Sequence, residues 1–221
     1  MDDELSPPIP PRKGDLLFRA DLPDWRSNGC LNPSWGDARV GYTEGYRRGA
    51  RVLVQHVVEN QRDQDYLVYP IIFLYRHHIE LALKNLIMKA PFLVERSLSD
   101  SEKGHLKTHR LDLLWQDLKP MFVDICKVAG WNNLDSADVD GIDDYIRQLS
   151  GLDPYSYSFR YTHSKKGDPS LPQDVQVNLR NFAEMMERLA DYLDALDAAT
   201  DHLEEIKAEW QSENAQYLDY E

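Results

Sequence analysis

The segment from Tyr66 to Met88 constrains the fold more than any other, because it is mostly apolar and contains no glycine. Its apolar residues cover most of the circumference of a helix, and a helix of that kind is normally central in its domain. Pro70 is tolerated in a first turn, and Pro91 is placed to end the helix. We therefore predict a central helix over 67–89 in an all-α helical bundle.

Four polar or charged residues interrupt this helix, namely Arg76, His77, Glu80 and Lys84. At 100° per residue they lie within one arc of about 100°. One interpretation is a ladder of ion pairs, because Glu80 precedes Lys84 at the favourable spacing, which is worth about 0.2–0.5 kcal/mol on an exposed face. The other is a binding surface, in which Arg76 and Lys84 face a phosphate or a carboxylate and Glu80 orients them. The sequence leaves both interpretations open.

The spacing of apolar residues predicts four further helices, and no segment alternates in the manner of a strand over a useful length. Three of these helices are expected at 39–61, 138–149 and 174–209. The fourth is expected to begin after a cap at Thr108 and to kink or restart at Pro120. Between them, residues 92–107 are predicted to form a polar connection. Residues 150–172 are predicted to be irregular, because their glycines and prolines forbid a long helix.

The chain is predicted to hold one helical domain over 39–210, with a Pro-rich arm over 1–38 before it and an acidic tail over 211–221 after it. Proline fixes φ and removes a hydrogen-bond donor, so no long helix is expected in the arm. The arm residues expected to pack on the domain are Phe18, Leu22, Trp25 and Trp35. The alternative is a mobile tail whose tryptophans bind a partner.

Composition restricts the partners and the compartment. The net charge is −13 and the pI about 4.9, so no overall attraction to nucleic acid or to an anionic membrane is expected. Only Cys30 and Cys126 are present, which favours a reducing cytosol over a disulfide framework. The acidic, then Pro-rich start is unlike a signal peptide, and the apolar run 67–75 is too short to span a bilayer. We predict a cytoplasmic protein without a membrane segment.

The irregular loop concentrates aromatic and basic residues in an otherwise acidic chain. Arg160, Tyr161 and His163 lie together there, and Lys165 follows. An imidazole can move the proton of a 2′-hydroxyl and a guanidinium can stabilise the charged transition state, so the predicted catalytic pair for metal-free phosphodiester cleavage is Arg160 and His163. In the alternative, Arg160 pairs with an acidic helix and His163 is only solvated.

The histidines do not have the spacing of a metal site. His77 and His78 are adjacent, so they point about 100° apart on a helix. His105 and His109 stand four residues apart, but Gly104 makes a helix there doubtful. No His-Glu-x-x-His motif, Gly-rich phosphate loop or dinucleotide fingerprint is present. We predict neither a metal nor a cofactor.

Three separated motifs carry a resemblance to a known family. They are Arg76-His77-x-x-Glu80-Leu81-x-Leu83-Lys84, then His109-x-Leu111-x-x-Leu114-Trp115, then Phe159-Arg160-Tyr161 before Gly167. In this order they resemble the HEPN-type proteins of bacteria, over about residues 66–200. The nuclease members carry Arg, four to six residues, then His, whereas two residues separate Arg160 from His163. The literal match, Arg51 to His56, lies in the first predicted helix, where the two side chains point some 140° apart.

The resemblance implies a helical bundle that forms a homodimer and binds RNA or a nucleotide in a groove between protomers. It also implies a toxin–antitoxin or phage-defence setting, with an antitoxin or other protein as partner. We expect a metal-independent ribonuclease in which Arg76, His77, Glu80, Lys84, His109, Tyr161 and Lys165 bind substrate. The alternative is a non-catalytic HEPN-like nucleotide-binding or regulatory module, whose charges pair internally. The ribonuclease requires the loop of Arg160 to reach a groove beside Arg76, whereas the regulatory module does not.

Overall fold

The apolar segment that begins near Tyr66 forms the centre of an all-α bundle in a computed structural model, which describes residues 10–18, 23–31, 34, 37–128, 130 and 136–218. The chain divides into two units, Met1–Asp37 and Ala38–Glu221. In the described residues the elements are a 3₁₀ turn at Trp25–Ser27 and the helices α1 (Ala38–Asn60), α2 (Gln64–Leu93), α3 (Asp100–His105), α4 (Leu111–Val128), α5 (Ser136–Leu152) and α6 (Leu179–Leu218). The predicted all-α class is confirmed.

Helix α2 is central because its apolar residues face neighbours on several sides. It packs against α1, α4 and α6. The side chains of Ile71, Ile79, Leu83 and Leu86 are fully buried, and so is nearly all of Tyr75. Burying a leucine or isoleucine contributes about 1.5–3 kcal/mol, so this helix supplies much of the core. Its polar stripe is consequently held inside the domain.

The ends of α2 differ from the prediction of 67–89. The helix begins at Gln64, after Asp63 with φ 66°, and ends at Leu93. Pro91 does not end it. A proline removes only its own N–H from the helical hydrogen bonds, and the N–H of Val94 still donates to the carbonyl of Ala90 at 3.1 Å. The last turn therefore continues past the proline.

The segment between α2 and α4 contains a helix that the prediction of a polar connection over 92–107 missed. Helix α3 is held by a capping box, in which the Ser99 side chain accepts from the N–H of Glu102 and the Glu102 carboxylate accepts from the N–H of Ser99. Six residues are too few for an apolar pattern to show. Helix α4 begins at Leu111 and continues through Pro120 without a restart.

The later helices also differ from their predicted bounds. Helix α5 reaches Leu152, so the irregular segment begins at Asp153. Helix α6 starts at Leu179 rather than at residue 174, and the Oδ1 of Asn178 caps it by accepting from the N–H of Asn181 at 3.0 Å. The helix includes residues 211–218 of the predicted acidic tail.

Some predictions fall on residues outside the described ranges. These are the arm residues Leu22 and Trp35 and the last three residues of the tail. The packing of the arm on the helical domain stays a prediction. Within its own unit the arm forms the 3₁₀ turn at Trp25–Ser27.

Arg47 joins α1 to the acidic face of α6. Its side chain is almost fully buried and binds the carboxylates of Glu187, Asp191 and Asp194. The Tyr75 hydroxyl of α2 donates to Glu187 at 2.8 Å. Burial by itself raises the pKa of Glu187, but the hydrogen bonds from Arg51, Arg47 and Tyr75 lower it to about 2. Since that pKa is depressed in the folded state, this contact stabilises the protein above the unfolded pKa and is lost as the pH falls towards 2.

Candidate functional site

The stripe on α2 is the centre of a buried polar network. Arg76 has no exposed side-chain surface, and its Nη1 lies 3.2 Å from the Oε2 of Glu80. Its Nη2 donates to the carbonyl of His109 at 2.6 Å. Its Nε donates to the carbonyl of Asp153 at 3.1 Å. One guanidinium thus ties α2 to the segment before α4 and to the loop after α5.

Glu80 is the anion around which the other stripe residues gather. Its side chain is 1% exposed, and its Oε1 accepts from the Nζ of Lys84 at 2.9 Å and lies 2.8 Å from the Nδ1 of His109. The Nδ1 of His77 lies 3.9 Å from the other oxygen. Burial by itself raises the pKa of Glu80, but His77, Lys84 and His109 hold that pKa well below its usual value. Glu80 therefore stays ionised, and the predicted ion-pair ladder is present.

Asp153 is a site residue that the sequence analysis missed. Its side chain is buried, and its Oδ1 accepts from the N–H groups of Tyr157 at 2.6 Å and Ser158 at 2.9 Å. The Oδ2 lies 3.5 Å from the Nε of Arg76 and has no hydrogen-bond partner among the described residues. An Asp-Pro pair at the end of a helix is a turn signal, and it could have indicated that this carboxylate begins the loop.

Arg160 is held in the loop by a carbonyl and by aromatic rings. Its Nε donates to the carbonyl of Ser156 at 2.7 Å. The guanidinium carbon lies 5.4 Å from the ring centre of Phe73 and 5.6 Å from that of Tyr161. Among the described residues no carboxylate forms an ion pair with Arg160, so the predicted alternative of pairing with an acidic helix is not what this geometry displays.

The loop and the first half of α2 enclose a cleft of about 600 Å³. Its walls are mainly apolar and aromatic, with contributions from Tyr69, Ile72, Phe159, Tyr161 and Val177. Two charged side chains line it, Arg160 and Asp174. The Oγ of Ser170, which also belongs to the lining, is buried without a hydrogen-bond partner among the described residues. An apolar pocket with few polar groups is the usual form of a small-molecule site.

The predicted site residues are distributed between this cleft and the network beneath it. Arg160 and Tyr161 line the cleft, whereas Arg76 and Glu80 are buried and do not reach solvent. His77 and Lys84 are each 19% exposed, and His109 is half-exposed. The ring of Phe73 stacks on His77 with centroids 5.7 Å apart. Because Arg160 covers the same Phe73, the structure brings the loop and the stripe together.

His163 and Lys165 lie further along the loop. Both are exposed, and neither is in the lining of the cleft. The Nδ1 of His163 lies 3.0 Å from the Oγ1 of Thr162, and its backbone bridges to Pro169. The Tyr157 hydroxyl donates to the carbonyl of His163 at 3.2 Å. His163 therefore sits in a defined turn whose imidazole remains open to solvent.

The side chains of Arg51 and His56, the literal match in α1 to the nuclease spacing, do not meet in the structure. Arg51 binds Glu187 of α6, whereas the Nε2 of His56 lies 2.9 Å from the Oδ2 of Asp63 at the start of α2. The two side chains serve different contacts. In the described part of the chain, no group of three or more His, Cys, Asp or Glu residues is arranged to hold a metal ion.

Comparisons with protein-family models, with curated proteins and with solved structures find no match for this chain. None of the helices in the described ranges combines the length and the hydropathy that a bilayer crossing requires. The fold and site define an all-α protein with a mainly apolar cleft, closed on one side by an arginine-bearing loop.

Proposed function

We propose that the cleft binds a nucleotide, either free or as one unit of RNA, and that the chain is a HEPN-like protein acting on such ligands. The observation that carries the proposal is the guanidinium of Arg160 at the edge of a mainly apolar and aromatic cleft. A nucleotide combines a planar base with an anionic phosphate. Its two parts match the two kinds of surface that this cleft offers.

The charge pattern favours a single nucleotide unit over a long nucleic acid. The chain carries a net charge of −13, and among the described residues that line the cleft the only cation is Arg160. One guanidinium suits one phosphate, for which it can supply two parallel hydrogen bonds. Tyr69 and Tyr161 are 48% and 51% exposed. One face of Tyr161 already stacks on Tyr157, so Tyr69 is the freer ring, and stacking a base on such a ring is worth about 1–3 kcal/mol.

The resemblance to HEPN-type proteins supports the same ligand class. It also supports a homodimer, a cytoplasmic location, and a toxin or phage-defence role with an antitoxin or other protein partner. These parts of the proposal rest on the three sequence motifs. The alternative, a non-catalytic nucleotide-binding or regulatory module, is supported by the internal pairing of Arg76, Glu80 and Lys84.

Replacing Arg160 with alanine is expected to weaken nucleotide binding about 10- to 100-fold, because a hydrogen bond to a charged group is worth about 1.5–3 kcal/mol. Isothermal titration calorimetry with AMP, GMP, CMP and UMP at fixed ionic strength measures the affinities. Arg160→Lys should give an intermediate loss, since lysine keeps the charge but not the planar fork.

The matched control is Arg188→Ala, because Arg188 is an exposed arginine of α6 that pairs only with Glu184 among the described residues. This control should leave the affinities unchanged. Equal affinities in the wild type and in Arg160→Ala would refute the proposed binding site.

A second candidate function is metal-independent RNA cleavage, favoured by the exposed imidazole of His163 on the loop that carries Arg160. His163 would move a proton and Arg160 would stabilise the charge that develops on the phosphate. The protein would then be a ribonuclease rather than a binding module.

Purified wild-type protein is expected to cleave total RNA or tRNA in EDTA, and His163→Ala to lower the rate about 10²- to 10⁴-fold. Denaturing gels follow the cleavage. The control His202→Ala removes another exposed imidazole, on α6, and should keep the wild-type rate. If the wild type binds nucleotides but leaves both RNAs intact, the binding-module alternative is favoured.

A further inference from the structure

The hydrogen bond between His109 and Glu80 has a defined donor and a defined acceptor. The Nδ1 of His109 lies 2.8 Å from the Oε1 of Glu80. The carboxylate is 1% exposed, whereas the imidazole is 52% exposed. An ionised carboxylate is an acceptor only, and the low pKa of Glu80 keeps it in that form. The hydrogen of a neutral His109 ring must therefore sit on Nδ1, which leaves the lone pair on Nε2.

His109 is held both at its backbone and at its ring. Arg76 holds its backbone through the carbonyl at 2.6 Å, while Glu80 holds its ring. The next residue, Arg110, pairs with Asp112 and covers the ring of Tyr155 at 5.4 Å. No described residue forms a hydrogen bond with the Nε2 of His109. A rigidly held imidazole thus presents an unused proton acceptor to solvent.

We infer that Glu80 and His109 form a carboxylate–imidazole dyad in which the Nε2 of His109 accepts a proton from a bound ribonucleotide. The buried carboxylate selects the tautomer and stabilises the imidazolium that forms, as in other carboxylate-oriented histidines. This inference rests on the proposed function, because it needs a ribonucleotide as the ligand. It assigns His109 a catalytic role in addition to the predicted role in substrate binding.

A chain of contacts connects the dyad with the cleft. Arg160 covers Phe73, Phe73 stacks on His77, and the Nδ1 of His77 lies 3.9 Å from Glu80. In the inferred arrangement the scissile phosphate binds Arg160, the adjacent 2′-hydroxyl faces His109, and His163 on the same loop as Arg160 supplies the acid.

In the reaction step each bond that forms and each proton that moves is accounted for. The Nε2 of His109 takes the hydrogen of the 2′-hydroxyl, and the 2′-oxygen forms a bond to phosphorus as the bond from phosphorus to the 5′-oxygen breaks. The leaving 5′-oxygen takes a proton from an acid, and the products are a 2′,3′-cyclic phosphate and a 5′-hydroxyl. No metal or redox partner takes part.

Uridine 3′-(4-nitrophenyl phosphate) separates the base from the acid, because 4-nitrophenolate leaves without a proton. Wild-type protein in EDTA is expected to release 4-nitrophenolate and form uridine 2′,3′-cyclic phosphate. His109→Asn is the informative variant, since its side-chain amide can still donate to Glu80 from the position of Nδ1 but has no Nε2. We expect kcat to fall at least 100-fold while KM and the melting temperature stay within twofold and 2 °C of wild type.

Nitrogen-15 NMR of the histidine rings supplies a readout that needs no substrate. The neutral His109 ring should carry its hydrogen on Nδ1, and a ring protonated only on Nε2 would overturn the inference. Equal kcat in the wild type and His109→Asn would also overturn it. If the wild type binds UMP at Arg160 but releases no 4-nitrophenolate, the dyad is refuted and the proposed binding function stands. If it neither binds nor cleaves, both are refuted.

Discussion

Replacing Arg76 with methionine is expected to lower the free energy of unfolding by about 3–5 kcal/mol. The change leaves the carboxylates of Glu80 and Asp153 buried without their shared cation, and it removes hydrogen bonds to the carbonyls of Asp153 and His109. Methionine fills much of the volume, and Glu80 keeps Lys84 and His109 as partners, so the loss reports the unpaired Asp153 carboxylate and the lost hydrogen bonds more than a cavity. Urea unfolding at pH 7, followed by circular dichroism, measures the change.

A matched substitution shows whether burial is the cause. Arg188 forms the same i, i+4 type of pair with Glu184, but its side chain is 64% exposed, so Arg188→Met should cost no more than about 0.5 kcal/mol. A loss below about 1 kcal/mol for Arg76→Met would show that the network does not stabilise the fold.

Replacing Asp153 with alanine is expected to lower the free energy of unfolding by about 2–4 kcal/mol and to weaken nucleotide binding about tenfold. Its Oδ1 caps the N–H groups of Tyr157 and Ser158, and its charge faces the buried Arg76. Each lost contact leaves a buried polar group unpaired, at about 1–3 kcal/mol. The loop that orients Arg160 begins at this residue, so its loosening should reach the cleft although Asp153 is not in the lining.

Two further variants resolve the cause of the Asp153 effect. Asp153→Asn keeps an oxygen acceptor for the two N–H groups but removes the charge, so it should retain more of the nucleotide affinity than alanine does. Asp144→Ala removes an exposed carboxylate of α5 that pairs with Arg147, and it should leave both stability and binding unchanged. Urea unfolding and UMP titration at one ionic strength serve for all three proteins. Wild-type affinity in a destabilised Asp153→Ala would show that Arg160 is held by other contacts.

The two interpretations of the α2 stripe describe different parts of one arrangement. Arg76 and Glu80 are buried and paired, as the ion-pair ladder predicts. His109, which the same carboxylate binds, keeps half of its ring exposed. A network whose buried charges are paired and whose edge is open to solvent can hold functional groups in place. The structural role and the proposed functional role are therefore compatible.

The sequence by itself determined the all-α class and the position of the central helix. A long apolar segment without glycine is typical of a buried helix, and helical periodicity is a local property that one segment reveals. For the same reason the polar residues on that segment, Arg76 and Glu80 among them, were identifiable as unusual. The aromatic and basic character of the loop around Arg160 was equally visible in its composition.

Only the tertiary structure decided which of these groups meet. Arg76 binds Asp153, a residue 77 positions away, and no local pattern encodes a contact at that separation. The start of α2 depended on the left-handed backbone of Asp63 and its end on a backbone hydrogen bond past Pro91, while α3 depended on its capping box. Periodicity does not detect such local contacts. The cleft exists because the loop after α5 folds back on the first half of α2, and its walls come from segments that are adjacent only in the folded chain.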